Sequence, residues 1–162
     1  MKFYEAHHYQ SKVNAIFEQL KHDLDESLKE ARIEHIGSSA IAGAISKGDL
    51  DVFVGVVAEN FEKSLETIKR LGFIEKQETL RTESLCMLVT DKYQYDVAIQ
   101  LVVNGSQFED FVRFRNILNQ RPHLVAEYNI LKQESEGMEP SSYRYKKSHF
   151  IERVLNSFAT DI

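Results

Sequence analysis

Within residues 10–30 the apolar side chains Val13, Ile16, Phe17, Leu20, Leu24 and Leu28 fall on one face of a helical wheel, with charged residues filling the rest. That pattern predicts a surface helix with one buried stripe. Residues 31–36 read as a short strand, broken by Gly37-Ser38-Ser39. After a loop of small residues, 49–57 form a run dense in β-branched side chains, the pattern of a buried strand. A second helix carries Phe61, Leu65, Ile68 and Leu71 on one face, with Gly72 placed to end it. Strands are expected over 73–76, 84–90 and 93–103, the last two joined through Asp91-Lys92. From Ser106 onward the period is helical. One helix bears Phe108, Phe111, Val112 and Leu118. The next starts at Pro122 and bears Val125, Tyr128 and Leu131. Residues 137–140 break the chain before a last helix carrying Phe150, Ile151, Val154, Leu155 and Phe158.

This order predicts an α+β fold, a mixed β-sheet flanked by helices with a helical C-terminal region. At 162 residues the chain is expected to be a single domain over 1–162, with about 106–162 forming a helical lobe. Its formal net charge of -5 argues against non-specific nucleic-acid binding, which needs a basic surface, but leaves room for a local cationic pocket. Cys86 is the only cysteine, so neither a disulfide framework nor zinc spacing exists. No apolar run approaches the ~20 residues of a membrane span and the N-terminus has no signal-like segment, so a cytoplasmic location and no membrane contact are expected.

Candidate chemistry gathers in the first half. Asp49 and Asp51, two apart on a strand, point to one face, about 6.6 Å apart along the chain. Like charges about 4 Å apart at an effective dielectric near 20 repel by roughly 4 kcal/mol. A divalent cation reverses that sign, and Mg²⁺ prefers carboxylate oxygens and substrate phosphates. Asp96, in the expected strand 93–103, is the third carboxylate that completes such a site if its strand lies beside Asp49 and Asp51. Gly37 lets backbone approach a phosphate closely, and the Ser38 hydroxyl can donate to one. Gly43 and Gly48 have P-loop separation, but Asp49 stands where lysine is required. Lys47 either neutralises phosphate or pairs with Asp49. Each of these residues also has a plain structural reading: boundary carboxylates, a strand-to-turn glycine, a surface lysine.

His35-Ile36-Gly37-Ser38 followed by Asp49-Leu50-Asp51-Val52 resembles the signature of the polymerase beta-like nucleotidyltransferase superfamily. More closely, the chain from His35 onward resembles the GrpB family, small bacterial proteins of that fold. The match includes Lys47, Phe114-Arg115, Leu118, Pro122, Ala126, Tyr128, Leu131-Lys132, Tyr143, Lys147 and Phe150-Ile151. Ala42 and Gly48 stand where the family usually has prolines, which predicts a shorter, more mobile loop after Ser38. Ala98 and Gln100 stand where it commonly has a His-x-His element, and Asp96 is then expected as the third ligand.

The resemblance implies Mg²⁺, with Mn²⁺ as the alternative, on Asp49, Asp51 and Asp96. It implies a nucleoside triphosphate held by Gly37, Ser38, Lys47, Lys132 and Lys147, the last two from a helical lobe closing over it. The expected function is transfer of a nucleoside monophosphate to an unknown acceptor, with Asp96 drawing the acceptor's proton. The alternative is a non-catalytic nucleotide-binding or regulatory module of the same fold.

Overall fold

A computed structural model of the chain describes residues 1–159; the end of the expected helical lobe, 160–162, lies outside them. Helix α1 (Ala6–Ser27) leads into strand β1 (Arg32–Ile36), a 3₁₀ turn (Ser38–Ala40) and β2 (Leu50–Val56). Helix α2 (Phe61–Arg70) then precedes β3 (Ile74–Glu75), β4 (Leu85–Thr90) and β5 (Val97–Val103). Three helices follow: α3 (Asp110–Asn119), α4 (Pro122–Ser135) and α5 (Pro140–Ser157).

The five strands form one mixed sheet in the order β1-β2-β5-β4-β3. Only the central β2–β5 pair is parallel, with Asp51 opposite Ala98 and Phe53 opposite Gln100. The other three pairs are antiparallel. Strand β2 is buried at every position except Asp51, which is half-buried. A strand covered on both faces needs apolar residues on both, which is why its sequence is a nearly continuous apolar run.

The two faces do different jobs. Val52, Val54, Ile99, Leu101 and Leu88 point to the side covered by α1 and α2, where they meet Val13, Leu20, Leu24, Leu65 and Ile68. Ile36, Phe53, Leu85 and Val102 point to the other side and meet Val112, Phe108 and Phe111. Asp51, Gln100 and Met87 share that second face by the alternation of the strands. Beyond it α3, α4 and α5 pack together around Phe114, Tyr128 and Phe150, with the Tyr128 and Phe150 rings stacked at 5.1 Å. Ile41 and Ala44, from the loop between β1 and β2, are buried in that same helical core.

Several boundaries move from their expected places. Helix α1 begins at Ala6, ahead of residue 10, because Tyr9 continues its buried stripe and donates its hydroxyl to the Ala44 carbonyl at 2.8 Å. Strand β5 begins at Val97, not at residue 93. The connection 91–96 is a turn in which Gln94 has φ 61°, so strand alternation does not extend back through it. At the other end of β5, Ser106 caps the 3₁₀ turn Gln107–Glu109 that leads into α3, accepting from the Phe108 N–H.

Gly55, one residue from the end of β2, has no room for a side chain. A Cβ there would lie 2.3 Å from Asn104 Oδ1 and 2.8 Å from the Phe53 ring. Asn104 can swing away, but Phe53 is fully buried. Gly55→Ala is therefore expected to destabilise the protein by about 1–3 kcal/mol, the range for overpacking a filled core. Denaturant unfolding measures this, and an unchanged midpoint would show that the sheet face is looser than described.

Candidate active site

Where β1 ends, Gly37 turns the chain with φ 76°, a conformation open to glycine but strained for other residues. The turn lies against β2. A Cβ on Gly37 would sit 2.5 Å from Asp51 Oδ2, so the carboxylate occupies the space a side chain would need. Two features that sequence places fourteen residues apart are thus in direct contact. Ile36 pairs with Asp51 across the β1–β2 ladder, which fixes the register of that contact.

The loop that follows is tightly held. Asn119 accepts from the Ala42 N–H at 2.9 Å and donates to the Ala40 carbonyl at 3.1 Å. Asn129 repeats the arrangement with the Ile45 N–H and the Gly43 carbonyl, both at 2.9 Å. Lys132 is completely buried; its ammonium donates to the Ile45 carbonyl at 2.6 Å and to the Ser38 hydroxyl, and lies 4.0 Å from the centre of the Tyr128 ring. At the far end of the loop, Ser46 pairs with Tyr4 in an isolated bridge. Ser46 also accepts from the Gly48 N–H and donates to Asp49 at 3.4 Å. The loop for which the missing prolines predict a shorter, more mobile course is hydrogen-bonded along its length. Asn119 of α3 and Asn129 of α4 bond the backbone at Ala40, Ala42, Gly43 and Ile45, while the Gly48 N–H is held by Ser46.

A cleft of about 620 Å³ opens between this wall and the helices. Gly37, Ser38, Asp49 and Asp51 line one side, Gln100 and Met87 the floor, and Phe108, Phe111, Phe114, Tyr128, Lys147, Ile151 and Leu155 the rest. Burial, and next the charge of Asp49, push the Asp51 carboxyl up to about 7, while Lys147 and Lys47 pull the other way. Lys147 is held above the ordinary lysine range by the Tyr128 phenol and by both carboxylates, against the desolvation that lowers it. Lys132 shows the opposite balance. Its burial, with the charge of Lys147, takes it down to about 6.

Of the residues expected to form the site, Gly37, Ser38, Asp49, Asp51 and Lys147 come together in this cleft. Asp96 does not. It is exposed in the 91–96 turn and lines a separate cleft of about 610 Å³ with Tyr4, His8 and Tyr95. Its place follows from the late start of β5, which leaves only its carbonyl engaged, by the Leu50 N–H at 2.9 Å. Lys47 is exposed and lines that second cleft too, although its charge still reaches Asp51. Lys132 is turned away behind the loop, because its ammonium is taken up by loop groups. Arg115 braces the fold, pairing with Glu34 at 2.7 Å and donating to the His35 carbonyl at 2.9 Å. His35 faces α1, stacked on Phe17 at 5.0 Å and hydrogen-bonded to Ser39; burial, and then the charge of Arg115, take it down to about 4.

Sequence reasoning missed Tyr128 as a cleft residue, the apolar wall of α3 and α5, and the paired contacts of Asn119 and Asn129. Two asparagines on helices carry no motif. The only available signal was that each stands among core residues of its helix.

The pattern of the GrpB protein family matches residues 5–157. The chain belongs to the GrpB family. It is 47% identical over 155 residues to a UPF0157 protein of Vibrio cholerae, covering 96% of this chain and 82% of that one. It is 27% identical over 146 residues to the glutamate-rich protein GrpB of Alkalihalophilus pseudofirmus, covering 82% of this chain and 80% of that one. The crystal structure of GrpB from Enterococcus faecalis superposes with a TM-score of 0.77 at 23% identity, covering 96% of each chain. A cytoplasmic RNA terminal U-transferase superposes with a TM-score of 0.55 at 15% identity, covering 78% of this chain and 38% of that one. The Cid1 poly(U) polymerase bound to MgATP gives 0.51 at 15% identity, covering 73% and 38%. The GrpB chain thus has a nucleotidyltransferase-like fold.

Gly37→Ala tests the central contact. It is expected to cost about 1–2 kcal/mol through its positive φ and the displaced Asp51 side chain. Denaturant unfolding measures this. Wild-type stability would show that Gly37 and Asp51 do not touch.

Proposed function

We propose that this GrpB protein binds a nucleoside triphosphate in the Asp49–Asp51 cleft and transfers its nucleoside monophosphate to an acceptor hydroxyl. The observation that carries this reading is the seating of the Gly37-Ser38 turn directly on the Asp51 carboxylate. It puts a phosphate cradle and a pair of hard oxygen ligands on one wall.

The donor set fits a divalent cation. Asp49 and Asp51 are carboxylates crowded into one half-buried patch, and among the described residues lining the cleft Lys147 is the only cation that faces them. Asp49 and Asp51 would hold the ion, which when bound would neutralise phosphate charge and orient the α-phosphorus. No three His, Cys, Asp or Glu among the described residues are grouped to hold a metal by themselves, so substrate oxygens would complete the coordination.

The chain's own residues account for the rest. Backbone at Gly37 and the Ser38 hydroxyl receive the terminal phosphates, and Lys147 faces the charge that develops on them. The acceptor oxygen forms a bond to the α-phosphorus as the bond to the bridging oxygen breaks. The electron pair leaves with pyrophosphate, and the hydroxyl proton passes to solvent. Tyr128 orients Lys147, and the Asn119, Asn129 and Lys132 contacts hold the cradle in shape before substrate arrives. On this reading the protein works where nucleoside triphosphates are plentiful, in the cytoplasm. Among the described residues no helix is long and apolar enough to cross a membrane.

The displaced position of Asp96 favours a second reading, nucleotide binding without turnover. Calorimetric titration of ATP and GTP into the protein, with Mg²⁺ and with EDTA, followed by an assay for pyrophosphate release, separates the two. Metal-dependent binding that disappears in Asp49→Asn/Asp51→Asn is expected, with pyrophosphate release once an acceptor is present. Binding without release across a broad acceptor screen would favour the module. Absence of binding to both nucleotides would contradict both readings.

A further inference from the structure

Resting on the nucleotidyl-transfer reading, we infer that the half of the cleft beyond Asp51 is the acceptor subsite, and that it takes a small uncharged molecule with an apolar body and a hydroxyl group, not a nucleic-acid strand. The sheet register lays the subsite out. Ile36 pairs with Asp51, Phe53 with Gln100, and Gln100 with Met87, so the floor runs from the phosphate cradle across four strands to Met87 on one face. At about 4.8 Å per strand, Gln100 and Met87 lie within one small molecule's length of the carboxylates, on the side away from Gly37 and Ser38.

The chemistry of this half is distinctive. Gln100 is half-buried, Gln107 stands at the rim, and neither side-chain amide makes a hydrogen bond to another described residue. An amide in an apolar recess without a protein partner offers a donor and an acceptor to a ligand. The surrounding surface is apolar: Met87, Phe108 and Phe111. Aromatic rings of this kind give a small molecule apolar burial and edge or face contacts.

Charge excludes the alternatives. Among the described residues, the charged side chains lining the cleft are Asp49, Asp51, Asp110 and Lys147, and Asp110 is tied to Arg113. A polynucleotide needs a track of cations along its backbone, whereas among the described residues lining the cleft a single lysine faces the carboxylates. An anionic acceptor meets the same obstacle. The whole cleft, at about 620 Å³, has the volume of a small-ligand site, and a bound nucleotide takes part of it.

The test uses the full chain, labelled with ¹⁵N and with ¹³C at the methionine methyls, in Mg²⁺ and a non-hydrolysable ATP analogue. 2-Phenylethanol, a neutral aryl alcohol, and an eight-nucleotide oligouridylate are titrated separately. The alcohol is expected to shift the side-chain amides of Gln100 and Gln107 and the methyl of Met87, with oligouridylate leaving all three in place. Gln100→Ala should weaken the alcohol's binding at least threefold while the backbone spectrum keeps its dispersion. Shifts of these signals by oligouridylate, or no shift by the alcohol, would overturn the inference. The Gly37 amide reports separately on the nucleotide. If it ignores the analogue, the transfer reading fails, while the alcohol titration still decides whether the recess binds small neutral molecules.

Discussion

Two carboxylates are held in one half-buried patch with insufficient positive charge around them, and the rest of the structure is arranged about that fact. Asp51 interrupts an otherwise fully buried strand, Asp49 stands two residues before it, and Gly37 gives up a side chain so that the Asp51 carboxylate can lie against the backbone. Burial raises the Asp51 carboxyl, and Asp49 raises it further. Fold stability gains nothing from this crowding. Lys147 supplies one compensating charge from α5, and the Tyr128 phenol of α4 helps hold it above the ordinary lysine range. A strained charge arrangement kept by glycine, lysine and tyrosine from three separate parts of the chain is what a binding site requires and a folding core does not.

The helical C-terminal region takes part in a different way from a lobe that closes over a ligand. Its side chains reach back to the loop between β1 and β2 and satisfy that loop's own backbone groups, through Asn119, Asn129 and Lys132. Ile41 and Ala44 are buried in the helical core, and Tyr9 fastens the same loop from α1. Opening the helices would break these bonds and expose that core. The loop is therefore shaped before any ligand enters, which would lower the ordering cost of binding there.

Much of this was legible along the chain. The dense β-branched run announced β2, the helical periods announced α1, α2 and the three terminal helices, and the spacing of Gly37-Ser38 from Asp49 and Asp51 pointed to one site. Local patterns carry such information because they reflect which face of an element is buried. Asp96 was misplaced for the same reason. Its flanking residues look like strand, but Gln94 adopts a left-handed conformation and the ladder starts only at Val97. Lys132 was misread because a lysine on a helix is ordinarily solvated, and only tertiary packing reveals that its ammonium is buried among loop groups. The apolar wall of the cleft carried no motif, since Phe108 and Phe111 look like any other core positions of a helix.

The most direct test of the account is the unfolding free energy of Asp51→Asn compared with wild type, measured by denaturant titration in EDTA at pH 8. If Asp49 and Asp51 are crowded together for the sake of a ligand, removing one charge relieves repulsion. The variant should then match or exceed wild-type stability, by on the order of 1 kcal/mol, while losing Mg²⁺-dependent nucleotide binding. A loss of 1 kcal/mol or more would contradict the account, since it would mean that the Asp51 carboxylate serves the fold.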